Sequence, residues 1–281
     1  MKYTDLQLGI SIPFSYANAV DRQTNVALVH GARRGLIDGY VRALSREMEN
    51  LSADTDRVRV NAVRFVGGYI HMLDEKRLGL LLETLSRCFH LAEDTELTGI
   101  VSPGFYNNYP FESMVLYGIR AIMDVPSFDV KECQRHAVAY KAALSFADVE
   151  EHGVKVMGVR TLKGLDRRDA RQWEAAYAGL MKHNPSIIEF VDTQIQQDSF
   201  LYGETLRRLE EAGYTQYQPD CLGLITPKYR LRTEDLPQYL GVGLSAACRF
   251  DGYYTRNTDD LNAYISADGD FSKLYKEAGE G

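Results

Sequence analysis

The feature that most constrains the fold of this chain is an alternation of apolar, β-branched runs with helical runs, repeated along most of its length. The strand candidates are Leu6 to Ile12, Val58 to Phe65, Thr95 to Val101, Ala121 to Val125, Lys155 to Arg160, Ile187 to Val191 and a last one near Tyr239 to Ala246. Their apolar content on both faces suits strands covered from two sides. Between the first two, Ile37, Tyr40, Val41, Leu44, Met48 and Leu51 recur at three- and four-residue spacing, which places them on one helix face. Asp74 stands as an N-cap ahead of Leu78, Leu81, Leu82 and Leu85, and Asp129 with Glu132 forms a capping-box-like start to a helix running toward Glu151. Gln172, Trp173, Ala176, Tyr177, Leu180 and Met181 mark a further helix. Leu206, Leu209 and Ala212 mark the last, stopped by Gly213. Strand and helix in strict alternation predict an α/β protein with a parallel, barrel-like sheet wrapped by helices.

At 281 residues and 45% hydrophobic content the chain can bury a large core, and it reads as one domain. Residues 1–217 carry the β/α repeats, 218–238 form an irregular loop expected to cover an open barrel end, and 239–281 hold the last strand and a tail. A net charge of −7 disfavours a nonspecific grip on nucleic acid, which needs basic patches to neutralise phosphates. No apolar run reaches the roughly 20 residues that span a bilayer, and the start of the chain lacks a signal-peptide layout, so a cytoplasmic protein is expected. Cys88, Cys133, Cys221 and Cys248 are far apart with no C-x-x-C pair, and read as small buried hydrophobes.

Several segments resemble, in order, the oxygen-independent coproporphyrinogen III oxidase-like branch of the radical SAM enzymes. Leu8 to Arg22 is similar to the family's opening strand and loop, H-I-P-F-C-x-x-x-C-x-x-C. Phe65-Val66-Gly67-Gly68-Tyr69-Ile70 is similar to F-G-G-G-T-P, and Glu96 to Gly104 to E-x-T-x-E-x-x-P-G. Gly164-Leu165-Asp166 with Gln172-Trp173, Leu209 to Tyr217, and Tyr239 to Ala246 match later motifs. The resemblance spans nearly the whole chain and implies a partial (β/α)6 TIM-like barrel with ligand sites at the carboxyl ends of its strands. The family's C-terminal winged-helix-like domain has no counterpart by this reading.

The departures from the family pattern fall on its cofactor site. In intact relatives three cysteines hold a four-iron four-sulfur cluster whose open iron binds S-adenosylmethionine. Here Ser15, Ala19 and Arg22 occupy those positions. Neither a methyl group nor a guanidinium can replace a thiolate, so no metal site and no cluster are expected, and S-adenosylmethionine binding is doubtful. Gly67 and Gly68 remain as positions where a ligand could approach the backbone. Where the family has an acid at the end of its fifth strand, this chain has Arg160.

With Arg22 and Arg120, Arg160 suggests a mouth suited to a carboxylate or phosphate. The simpler competing account is salt bridging to Glu96, Glu189 or Asp192. For catalysis, the candidates are His71 as acid or base, Tyr69 and Arg160; a packing role for His71 is the plainer account. The leading expectation is a cluster-free pseudoenzyme in a biosynthetic pathway, binding a small anion or a partner such as a pathway enzyme or an intact radical SAM relative. The alternative is an enzyme using the barrel mouth for non-radical chemistry, S-adenosylmethionine-dependent or acting on an anionic or tetrapyrrole-like substrate. A radical SAM enzyme with unusual ligands ranks third.

Overall fold

The computed structural model describes residues 4–15, 28–31, 33–53, 58–102, 109–125, 128, 145–163, 170–191, 199–231, 236, 238–250, 252–267 and 270–277. Ala19, Arg22, Cys133, the Asp129–Glu132 cap and Gly164 to Asp166 lie outside them. The chain runs through β1 (Thr4–Ile12), β2 (Phe14–Ser15), β3 (Val29–His30), α1 (Arg34–Ser52), β4 (Val58–Gly67), a 3-10 turn (Ile70–Met72), α2 (Glu75–Cys88), β5 (His90–Val101), α3 (Phe111–Leu116) and β6 (Arg120–Asp124). It continues through α4 (Ser145–Glu151), β7 (Val156–Leu162), α5 (Ala170–Lys182), β8 (Ile187–Val191), α6 (Ser199–Glu211), β9 (Thr215–Gln218), β10 (Cys221–Gly223), β11 (Tyr239–Val242), β12 (Ala247–Phe250), β13 (Tyr253–Arg256), α7 (Leu261–Ile265) and β14 (Lys276–Glu277).

Strands β1, β4, β5, β6, β7 and β8 pair side by side in chain order, all parallel, as the β/α alternation requires. The last parallel strand, β11, does not extend the series beyond β8. It pairs with β1 at the other edge, Gly9 opposite Gly241, and β12, β13 and β14 follow it antiparallel. Beside β8 the hairpin of β10 and β9 takes the outer place, so the stretch from Gln218 holds a short strand before its irregular part.

Each strand divides its side chains between two sides. Leu6, Leu8, Ile10 and Ile12 of β1 join Ile37, Tyr40, Val41, Leu44 and Met48 of α1 in the main core, which is the face read from the helical spacing. Asp74 caps α2 by accepting a hydrogen bond from the Arg77 amide at 3.0 Å. The alternate residues of the strands face the barrel interior. In register there lie Gln7, Ala62 and Glu96, then Gly9, Arg64, Thr98 and Arg120, and further on Asp124, Arg160 and Glu189.

Two devices fasten the chain after β8. The segment 224–231 crosses the amino halves of the strands, where Gln7 donates to the Lys228 carbonyl at 2.6 Å and accepts from the Arg230 amide at 2.8 Å. Glu96 accepts from the Lys228 amide at 3.1 Å. At the edge formed by β11, the fully buried Glu47 of α1 accepts from the Gly243 amide at 2.7 Å, the Asn257 side chain at 2.9 Å, the Tyr264 hydroxyl at 2.5 Å and the Tyr275 hydroxyl. Burial raises its carboxyl pKa against the pull of these four donors. The carboxylate thereby holds Gly243, Asn257, Tyr264 and Tyr275 onto α1. Among the described residues, no helix is long and apolar enough to cross a membrane.

Candidate functional site

The barrel interior is organised by one ion pair. Arg64 projects inward from β4 and Glu189 from β8, and the two meet as a bidentate pair with both Nη···Oε distances at 2.7 Å. Both side chains are under 5% exposed. Burial opposes the Arg64 charge, but the Glu189 carboxylate outweighs it and holds the guanidinium above its ordinary pKa. The Tyr229 ring lies 5.6 Å from the Arg64 guanidinium carbon, and its hydroxyl is 3.2 Å from that of Tyr239. Gly9 makes room for this arrangement. A Cβ there would sit 1.8 Å from the Tyr239 hydroxyl.

At the carboxyl ends the first loop folds back on the strand end of β4. Gly68 donates to the Ile12 carbonyl at 2.7 Å and Tyr69 to the Phe14 carbonyl at 3.0 Å. The Phe14 carbonyl oxygen occupies a point only 2.0 Å from where a Gly68 Cβ would be, so the missing side chain here admits the chain's own backbone. Gly67 has a φ of +91°, in the left-handed region. Ser15 ends β2 and is 2% exposed, its carbonyl accepting from the Gly31 amide at 3.0 Å.

Tyr69 and His71 belong to an aromatic stack. The Tyr69 hydroxyl donates to Asp124 at 2.9 Å, joining the ends of β4 and β6. His71 stacks on Tyr69 at 5.3 Å and on Tyr109 at 4.5 Å, and the stack runs on through Phe111 to His152. Burial holds the His71 imidazole at a pKa of about 3. The ring is uncharged at neutral pH and a poor proton acceptor there, since general bases work best with a pKa near the working pH.

Arg120 and Arg160 do not share a mouth. Arg120 opens β6 at its amino end and pairs with Glu96 at 3.6 Å, the salt bridge that the simpler account anticipates. Arg160 lies in the carboxyl half of β7, next in register to Asp124 and Glu189. Lys163, just beyond β7, is taken by Asp220 at 2.7 Å. Arg64 is the inward residue that the motif reading passes over. Its signal was present, because it is the one charge inside the apolar run Val60 to Val66.

The arrangement matches a known structure. Coproporphyrinogen III oxidase (HemN) from Escherichia coli, described as a radical SAM enzyme, superposes with a TM-score of 0.78 over 95% of this chain and 70% of that one, at 17% identity. The chain has the radical SAM barrel fold. Streptococcus suis SuiB bound to S-adenosylmethionine matches more weakly, with a TM-score of 0.43 at 13% identity over 74% of this chain and 45% of that one. No protein-family model matches the sequence, and no curated protein does.

The cluster that the resemblance implies for intact relatives does not fit the residues present. Between Phe14 and Val29 there is no cysteine and no histidine. Cys88 closes α2, while Cys221 on β10 and Cys248 on β12 have thiols that burial pushes up to about 12 and about 11.

Two outcomes follow from these positions. Arg64→Met or Glu189→Leu alone should lower the unfolding free energy by about 3–5 kcal/mol, because each leaves a buried charge uncompensated, whereas the double variant should unfold near the wild type in urea. Additive losses would show that the pair is not coupled. For His71, the unfolded chain takes up a proton as pH falls through about 6.5, while the folded ring resists until about 3. The neutral ring's stability is therefore whole above 6.5 and lost on acidification. His71→Phe should flatten the fall of unfolding free energy between about pH 6 and 4.5 by up to about 1.4 kcal/mol per pH unit, and parallel slopes would contradict this.

Proposed function

We propose that this chain is a cluster-free pseudoenzyme on the radical SAM scaffold, retained in the cytoplasm as a binding module for a small ligand or a partner enzyme of a biosynthetic pathway. The observation that carries the reading is the chemistry of the first loop. Ser15 is buried at the end of β2, and Ala19 and Arg22 complete a set with no sulfur donor. Iron-sulfur clusters require such donors. The interior supports the same reading, since both Nη atoms of Arg64 and both carboxylate oxygens of Glu189 are engaged with each other and Tyr229 and Tyr239 pack beside them. His71, neutral and stacked, offers little for acid–base work, which weakens the non-radical enzyme reading at that candidate.

The test is turnover under conditions that favour the intact chemistry. Anaerobic protein incubated with iron, sulfide, dithionite and S-adenosylmethionine should form no 5′-deoxyadenosine above a protein-free blank by liquid chromatography. Catalytic release of that product would overturn the proposal.

A further inference from the structure

Polar side chains gather in the barrel interior, and their hydrogen-bonding capacity is unevenly spent. Both oxygens of Glu189 are engaged by Arg64, and a Tyr69 hydroxyl is bound to Asp124. Arg160 stands between those two carboxylates in register, yet among the described residues its side chain makes no hydrogen bond and no ion pair. The residue is half-buried, and its guanidinium carries five N–H donors. Burial lowers its pKa, Glu189 opposes that shift and the neighbouring Arg64 charge adds to it, although an arginine stays protonated throughout. Deeper in the same interior, Arg64 Nε and Thr98 Oγ1 are buried donors with no partner. Buried donors without acceptors are costly, and a half-buried arginine is ordinarily paired.

We propose that the carboxyl half of the barrel, beside Arg160 and the Arg64–Glu189 pair, binds a small monocarboxylate through the Arg160 guanidinium. This deepens the binding function above and rests on it. A carboxylate matches the guanidinium fork with two parallel hydrogen bonds. Glu189 is already neutralised by Arg64, and the carboxylates that flank Arg160 would repel a phosphate dianion more strongly than a monoanion. The inward Ile122 and Ile187, two residues before Asp124 and Glu189, are fully buried and pack with Met157, closing the interior on the amino side of Arg160. Tyr229 and Tyr239 already fill the space near Gly9, which limits the guest to a small molecule.

The experiment compares thermal midpoints of the full chain at constant ionic strength, with sodium chloride replaced by sodium acetate, sodium benzoate or sodium phosphate. Acetate or benzoate should raise the wild-type midpoint by about 2 °C or more and leave Arg160→Met unmoved. A second measurement needs no variant: phenylglyoxal modification of Arg160, read by peptide mass spectrometry, should slow at least about threefold in benzoate while modification of Arg120 does not. Absence of any carboxylate effect on the wild type, an equal shift in Arg160→Met, or protection by phosphate alone would overturn the proposal. Iron and sulfide in the same samples are assayed separately. A bound cluster would sink the pseudoenzyme reading without altering the midpoint comparison, and a null midpoint in cluster-free protein would sink only the carboxylate.

Discussion

Arg64 and Glu189 come from strands separated in the sheet by β5, β6 and β7, and in a flat sheet their backbones would stand about 19 Å apart at the usual strand spacing. Their side chains instead meet at 2.7 Å. The sheet therefore curls until β4 and β8 face each other across an interior, and the pair fixes how far it curls. A buried ion pair contributes little net stability over a well-packed apolar pair, but it penalises any register that separates its members. The surrounding residues conform to it: Gly9 leaves space for Tyr239, and Tyr229 lays its ring against the guanidinium.

With the interior so fixed, the two ends of the barrel acquire different characters. The amino end is closed by segment 224–231, whose backbone is held by the inward side chains Gln7 and Glu96. The carboxyl end is shaped by backbone contact between the first loop and β4, with Gly68 pressed on Phe14 and Tyr69 tied to Asp124. Arg160 lies toward that end, its side chain without a hydrogen bond or ion pair among the described residues, where ligand sites in parallel α/β folds lie.

Much of the architecture was legible because it follows from periodicity. The apolar run Ile187 to Val191 is β8 residue for residue, and the three- and four-residue spacing from Ile37 to Leu51 identified the face of α1 that the core receives. What periodicity lacks is neighbourhood. It located the strand beginning at Tyr239 but held no information that it pairs with β1 rather than β8, nor that β9 and β10 form a hairpin beside β8. The same gap explains the arginines. Arg120 and Arg160 both belong to inward positions, but Arg120 is the first residue of its strand and Arg160 is near the end of its own, so the strand's length separates them. Glu47 was hidden for another reason: on a helix read by its apolar stripe, a buried carboxylate is visible only when the donors from Gly243, Asn257, Tyr264 and Tyr275 are in place.

The central claim is that the scaffold persists while the thiolate seat of the cluster does not. It is tested most directly by iron and sulfide stoichiometry after anaerobic reconstitution of two proteins, the wild type and the triple variant Ser15→Cys, Ala19→Cys, Arg22→Cys. The account predicts only background iron in the wild type and a gain of cluster in the triple variant, whose loop regains three sulfur donors on an unchanged barrel. A full cluster in the wild type, equal to that of the variant, would contradict it.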